Sequence, residues 1–224
     1  MKKLFRKIIS IIIITIIIVP NTIADAHEFS PKRYPTLVYR DNSMNHGVVK
    51  LKYIIKVNDS NYKSQLKNSI NDWEWQDNGY VDLEETSENN AFIFFYDTWN
   101  NAEFGSTAYG MTMMYWNKKT VITYSTNWSG PAYTRTENVF TKCNVYVNKT
   151  SQKNSKFTNN DIKKTWAHEI GHTIGFNETN DGTKSIMKQG KGSTFGWSNY
   201  WLPQAHDRTD LKNKFQWTIV GNLL

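Results

Sequence analysis

The 224-residue chain has little cysteine and little excess charge. Its single cysteine excludes an intramolecular disulfide framework and a zinc site built on several thiolates. Residues 1–26 carry four of the 27 basic and one of the 20 acidic residues, so the rest of the chain has a net charge of only +4. That balance does not indicate a nucleic-acid partner. No repeat or low-complexity linker divides the chain, and its 39% hydrophobic and 14% aromatic residues can fill a folded core.

The first 26 residues have the pattern of a secretory signal peptide. A basic segment at residues 2–7 precedes a 12-residue apolar run at 8–19, and Ala-Asp-Ala at 24–26 fits a cleavage site. A membrane-spanning helix needs about 20 apolar residues, so this run is too short for an anchor. An exported protein with no disulfide and a lysine-rich leader is typical of bacteria. We therefore predict a secreted protein that begins at His27 and keeps no membrane anchor.

The rest of the chain predicts one α+β domain at residues 47–224, preceded by an irregular arm or short pro-segment at 27–46. Apolar alternation predicts strands at 48–57, 80–85, 91–97, 108–116, 120–126 and 139–148, the fourth and fifth joined as a hairpin by Asn117-Lys118-Lys119. Helical spacing predicts helices at 59–75, 162–174 and 207–215. Thr158 and Asp161 have the spacing of a capping box at the start of the second helix.

The second predicted helix carries the sequence His-Glu-Ile-Gly-His at residues 168–172. His168 and His172 are four residues apart and lie on one face of a helix, so both imidazoles can reach one Zn²⁺. Glu169, next to the first histidine, is placed to take a proton from water. Trp166 lies roughly 200° around the helix from His168, so an apolar face can pack on a sheet while the histidines face a cleft. The chain has only five histidines, which favours function over coincidence.

The match extends beyond these five residues. Residues 168–178, HEIGHTIGFNE, resemble the HExxHxxGxxH motif of the metzincin zinc endopeptidases up to its last position. Gly175 matches the glycine that lets the chain leave the helix with positive φ. Ser185-Ile186-Met187 resembles the family's Met-turn, whose methionine underlies the metal site. Small secreted bacterial members, matrixin-like or snapalysin-like, are the most similar.

The resemblance implies the architecture of a metzincin-like catalytic domain. We expect a mixed five-stranded sheet and two long helices, with the active-site helix followed by a glycine turn, the Met-turn and a short C-terminal helix. The strand at 108–116 precedes the zinc helix as the family's substrate-binding edge strand does, so it would pair with an extended peptide.

The third ligand position of the motif holds Glu178 where the family has histidine. A carboxylate binds zinc at about 2.0–2.2 Å, and an aspartate is known here among the snapalysins. Glutamate is one methylene longer and lowers the net charge of the site. Asp181 and His206 are rival third ligands.

Four other residues are weaker candidates. Cys143 alternates with valines on a predicted strand, so we interpret it as a buried core thiol and not as a cysteine switch. Asp41 could cap a metal from the N-terminal arm. Trp197 and Trp201 follow the Met-turn and would either line a substrate pocket or pack under a loop-rich region.

These observations predict a secreted zinc endopeptidase that acts as a monomer on protein or peptide substrates. His168, His172 and Glu178 would bind one Zn²⁺, with Glu169 as the general base. Structural calcium is possible in such a protein, but no sequence pattern indicates it. Two other classes stay open. One is a secreted zinc-binding module without catalysis, and the other is an adhesin or glycan-binding domain, which the many tryptophans and tyrosines suggest.

Overall fold

A computed structural model describes residues 37–40, 47–76, 80–105, 107–123, 133–179, 184–188, 200–215 and 220–223. Its strands are β1 Leu37–Arg40, β2 Gly47–Lys56, β3 Val81–Glu85, β4 Ile93–Tyr96, β5 Gly110–Thr123, β6 Tyr133–Val147 and β7 Val220–Leu223. Its α-helices are α1 Ser60–Gln76, α2 Asn101–Phe104, α3 Lys149–Asn154, α4 Asn159–Ile174 and α5 Ala205–Phe215. The chain is therefore α+β, as predicted.

The strands form one mixed sheet in the order β1-β2-β4-β6-β5-β7, with β3 paired to β2. β2, β3, β4 and β6 run parallel, whereas β5 runs antiparallel to β6. These five strands form the predicted mixed sheet, and the four-residue strands β1 and β7 extend it to seven. The structure thus confirms the α+β class and the mixed sheet, and the metzincin-like identity of the domain stays a prediction.

The core lies between the sheet and the two long helices, α1 and α4. The apolar residues that predicted α1 are all buried: Tyr62, Leu66, Ile70 and Trp73. On the sheet, Phe95 is fully buried and packs edge-on against Trp166 of α4, with ring centroids 5.9 Å apart. Cys143 is fully buried on β6, and burial raises the pKa of its thiol far above the ordinary value. It is therefore the core thiol that the sequence predicted.

The predicted hairpin at residues 108–126 is wrong. β5 continues through Asn117-Lys118-Lys119 without a turn, and these residues pair with Glu137–Val139 of β6. A tight hairpin turn needs residues with positive φ, which glycine adopts most readily, and Asn117-Lys118-Lys119 contains no glycine. Asparagine and lysine are merely disfavoured in strands, and the long antiparallel ladder with β6 overrides that preference.

Two further predictions need correction. The N-terminal arm was expected to be irregular, but the β-prone segment Leu37–Arg40 pairs antiparallel with β2. The short helices α2 and α3 were not predicted, because helices of four and six residues carry too little periodicity to detect. The predicted signal peptide and the rest of the arm, with Asp41, lie outside the described residues. Among the described residues, no helix has the length and apolar character needed to cross a membrane.

Candidate metal centre

Helix α4 begins and ends at the residues that the sequence indicated. The Thr158 hydroxyl accepts a hydrogen bond from the Asp161 backbone N–H, and the Asp161 carboxylate accepts one from the Thr158 backbone N–H, which completes a capping box. At the other end Gly175 has φ 111°, a left-handed conformation that ends the helix. The chain then turns back, which brings the residues after the glycine over the histidine face of α4.

Helix α1 holds α4 from the side opposite the histidines. The Trp73 indole N–H donates to the Ala167 carbonyl at 2.8 Å, and the Ser69 hydroxyl donates to the Lys163 carbonyl at 2.7 Å. In the reverse direction, the Trp166 indole donates to the Tyr62 carbonyl at 3.0 Å. These bonds are short and mostly buried, so they hold α4 firmly against α1.

The two histidines and Glu178 converge on one point. One carboxylate oxygen of Glu178, Oε1, lies 3.2 Å from Nε2 of His168 and 3.2 Å from Nε2 of His172. One ligand atom from each residue lies within 4.8 Å of the other two. Ligand atoms held at about 2.0–2.2 Å from a tetrahedral ion are about 3.3–3.6 Å apart, close to the 3.2 Å seen here. The spacing therefore fits a shared metal ion.

The opposite nitrogen of each imidazole faces a backbone carbonyl. His168 Nδ1 lies 2.9 Å from the Ile186 oxygen, and His172 Nδ1 lies 2.8 Å from the Phe176 oxygen. A carbonyl oxygen only accepts, so both Nδ1 atoms carry a proton and donate. Both imidazoles would then be neutral, and each would direct the lone pair of its Nε2 at the Glu178 carboxylate. Lone pairs that face one another repel, so a proton or a metal cation must lie between the nitrogens and the carboxylate oxygen. Zn²⁺ fits these donors, and the carbonyls fix the ring orientations.

Electrostatics favour positive charge at the same point. Burial lowers the pKa of His168, but the hydrogen bond with Glu178 and the charges of Glu169 and Glu178 outweigh burial and raise that pKa to about 9. Burial raises the pKa of Glu178, whereas its hydrogen bonds with both histidines outweigh burial and hold that pKa far below the ordinary value. Glu178 is therefore an ionised carboxylate in this arrangement.

The side chain of Glu169 extends from α4 towards β5. The Thr112 hydroxyl lies 2.7 Å from Oε2 of Glu169 and donates to it. The other oxygen, Oε1, lies over Gly110, where an added Cβ would come within 2.6 Å of it. Gly110 thus leaves space for the carboxylate, and Thr112 holds one of its oxygens. Neither residue was predicted as part of the site, because the contact joins residues 57 positions apart and only the fold brings them together.

A cleft of about 330 Å³ opens beside these groups. Its apolar wall includes Met111, Met114 and Phe176. Its polar wall includes Glu169, His172 and Glu178. A cleft of this size with a few converging polar groups is typical of a binding or catalytic site.

Met187 lies beneath α4, fully buried. A Cβ added to Gly171 would overlap the Met187 sulfur and lie 3.2 Å from Trp73 Cζ2. Gly171 therefore lets the methionine approach the helix backbone between His168 and His172. The resemblance of this segment to a Met-turn stays a prediction.

The structure does not bring the rival third ligand His206 to the two histidines. It lies on α5, with Nε2 3.3 Å from a carboxylate oxygen of Asp210. Asp181 and Trp197 lie outside the described residues. Trp201 is half-buried, and its role as a pocket residue stays a prediction. Within the described part of the chain, His168, His172 and Glu178 are the one group with metal-binding geometry.

Comparison with models of known protein families finds no match, and no curated protein matches the chain. The function must therefore be inferred from the site itself.

Proposed function

We propose that the protein is a secreted zinc endopeptidase, in which His168, His172 and Glu178 hold the metal. One observation carries the proposal: the Nε2 atoms of both histidines face a single oxygen of Glu178, at 3.2 Å each, while both Nδ1 atoms donate to carbonyls. The general-base candidate Glu169 lies next to this group in sequence and faces the same cleft.

Zinc, when bound, would supply a Lewis acid that polarises the scissile carbonyl and acidifies water. Glu169 would take the proton of the attacking water on its carboxylate and deliver it to the leaving amine. Thr112 orients that carboxylate by donating to Oε2 at 2.7 Å, so Oε1 stays directed towards the space above Gly110. Because Glu169 is only 5% exposed, bulk water competes little for this hydrogen bond.

The position of β5 supports an extended peptide as substrate. β5 is the next-to-last strand of the sheet, and among the residues that the structure describes β7 pairs with it at Val121 and Thr123, far from the cleft. The opposite end of β5, at Gly110 and Thr112, lines the cleft beside Glu169. A peptide that pairs with this end of the strand would place a carbonyl next to the general base.

The test uses the chain from His27 onwards, purified with zinc. We expect one zinc per chain and cleavage of casein, an unstructured protein substrate. Glu169→Ala should keep the metal and lose nearly all turnover, since it removes the base and no ligand. Glu84→Ala is the matched control, because Glu84 is an exposed glutamate on β3. Its activity should equal that of the wild type.

Each other outcome contradicts the proposal in a distinct way. Full turnover in Glu169→Ala would refute the assigned mechanism. A stable zinc with no hydrolysis of casein would favour the zinc-binding module without catalysis. A chain that binds no zinc but binds cell-wall polysaccharide would favour the adhesin.

A further inference from the structure

The segment Ser185-Ile186-Met187 is held by a buried carboxylate from α5. Asp207 is 0% exposed, and its Oδ2 accepts hydrogen bonds from the backbone N–H groups of Ile186 at 3.0 Å and Gln204 at 2.6 Å. Its other oxygen, Oδ1, accepts the Ser185 hydroxyl at 2.6 Å. The carboxylate is thus fixed by three donors and is oriented independently of the histidines.

A continuous series of hydrogen bonds joins this carboxylate to His168. The Nδ1–H of His168 donates to the Ile186 carbonyl at 2.9 Å. The N–H of the same peptide unit, that of Met187, donates to the Ser185 hydroxyl oxygen at 2.8 Å. The Ser185 hydroxyl then donates to Asp207 Oδ1. We call this series the relay: His168, the Ile186–Met187 peptide, Ser185 and Asp207.

Every hydrogen bond of the relay points the same way, from the imidazole towards the carboxylate. Hydrogen bonds aligned in this way polarise one another, and a terminal negative charge strengthens the effect. Ser185, Ile186, Met187 and Asp207 are all 0% exposed, so water does not screen the series. A carboxylate hydrogen-bonded to a metal-binding histidine is known to orient the ring and raise its basicity as a ligand.

We propose that Ser185 and Asp207 are positioning residues for His168, acting through the Ile186–Met187 peptide to hold the imidazole as an Nε2 ligand and to strengthen its bond to a metal. The inference rests on the proposed metal site. It assigns Ser185 a role that is separate from the packing of Met187, because Ser185 acts through its hydroxyl and Met187 through its side chain.

Ser185→Ala tests the relay with the smallest change. It removes the hydroxyl that receives the Met187 N–H and donates to Asp207, while both backbone donors to Oδ2 remain. Ser69→Ala is the matched control: Ser69 is also 0% exposed and donates to a backbone carbonyl, but that carbonyl belongs to Lys163. Ser185→Thr keeps a hydroxyl and should restore the behaviour of the wild type.

The zinc dissociation constant is measured by competition with a chelator, and folding is followed by urea unfolding. Loss of an outer partner typically costs 10–100-fold in metal affinity, so we expect Ser185→Ala to bind zinc about 10–100-fold more weakly. Ser69→Ala should lose folding stability but keep the zinc affinity of the wild type. In the zinc-loaded protein, the Nδ1 proton resonance of His168 should move upfield in Ser185→Ala, while that of His172 stays in place.

Unchanged zinc affinity in Ser185→Ala, or an equal loss in Ser69→Ala, would overturn the relay. A failure of the proposed function gives a different result from a failure of the relay. Zinc binding without hydrolysis of casein would contradict the peptidase, and the affinities of the two serine variants would still decide the relay. A wild-type chain that binds no zinc would overturn both.

Discussion

The close approach of Met187 to α4 leads to a sharp prediction for Gly171→Ala. In a helix interior this substitution normally stabilises by about 1 kcal/mol, because glycine loses more backbone entropy on folding than alanine. Here the new methyl group would overlap the Met187 sulfur and meet Trp73 Cζ2 at 3.2 Å. Forcing extra volume into a packed core costs about 1–3 kcal/mol. The cost offsets or outweighs the gain, so we expect Gly171→Ala to lower the free energy of unfolding by up to about 2 kcal/mol, where an unobstructed helix would gain about 1 kcal/mol.

The sign should reverse when the methionine is removed. Met187→Ala alone should cost about 2–5 kcal/mol, because it leaves a cavity under α4. In the Met187→Ala protein, the methyl group added by Gly171→Ala fills part of the cavity, and alanine has a higher helix propensity than glycine. Gly171→Ala should therefore stabilise that protein by up to about 1 kcal/mol. The coupling free energy between the two positions should then be about 1–3 kcal/mol, above the roughly 0.5 kcal/mol expected of independent sites.

Equilibrium urea unfolding of the wild type, both single variants and the double variant measures this coupling. All four proteins are compared in the presence of a chelator, so that differences in metal affinity do not enter the free energies. If the effects of the two substitutions simply add, Met187 does not pack against Gly171, and the assignment of Met187 beneath the histidines is wrong.

Four further predictions concern the ligands, the base, an ion pair and export. Glu178→Ala should lose zinc on dialysis against a weak chelator, whereas Glu178→His and His206→Ala should retain it; the reverse pattern would transfer the role to His206. Thr112→Val removes a 2.7 Å donor to the general base and should lower kcat about 10–100-fold with KM little changed, and Thr112→Ser should restore it. Burial raises the pKa of Asp97, but hydrogen bonds from Lys149 and the Asp59 backbone N–H outweigh burial and leave the pKa lowered, so this group stabilises the fold above about pH 4 and its contribution is lost as the pH falls further. Unfolding measured from pH 6 to 3 should therefore show a shallower loss of stability in Asp97→Asn. Intact mass of exported protein should give a start at His27, or later if a pro-segment is removed, and a membrane-bound chain with Met1 intact would contradict it.

The parts of the site that the sequence predicted are local. The capping box at Thr158, the histidine pair and the glycine at 175 each depend on residues within a few positions of one another, so spacing alone decides them. The placement of Glu178 needed the resemblance as well, because the residues after a helix end have no periodicity of their own. The structure brings Glu178 within 3.2 Å of both histidines, whereas the sequence left Asp181 and His206 as rivals.

The parts that the sequence did not predict depend on distant contacts. Thr112 reaches Glu169 because β5 lies beside α4, and Asp207 reaches Ser185 because α5 lies against the segment Ser185-Ile186-Met187. A threonine in a strand and an aspartate in the first turn of a helix are both ordinary residues for those positions. The sequence around each of these two residues therefore contains no signal for a functional role, and only the tertiary fold indicates that role.

The charges around the site give a physical reason for a carboxylate as third ligand. Lys164, one turn before His168 on α4, is fully buried, and burial lowers the pKa of its amine to about 7. A divalent cation with two neutral imidazoles would add two positive charges to the same buried region, which is costly unless they are compensated. Glu178 supplies one negative charge and Glu169 the other, so the complete group is neutral. With histidine at position 178, the group would keep a net positive charge one helical turn from a buried amine. In the proposed site, a carboxylate at position 178 would therefore add less electrostatic cost than a histidine.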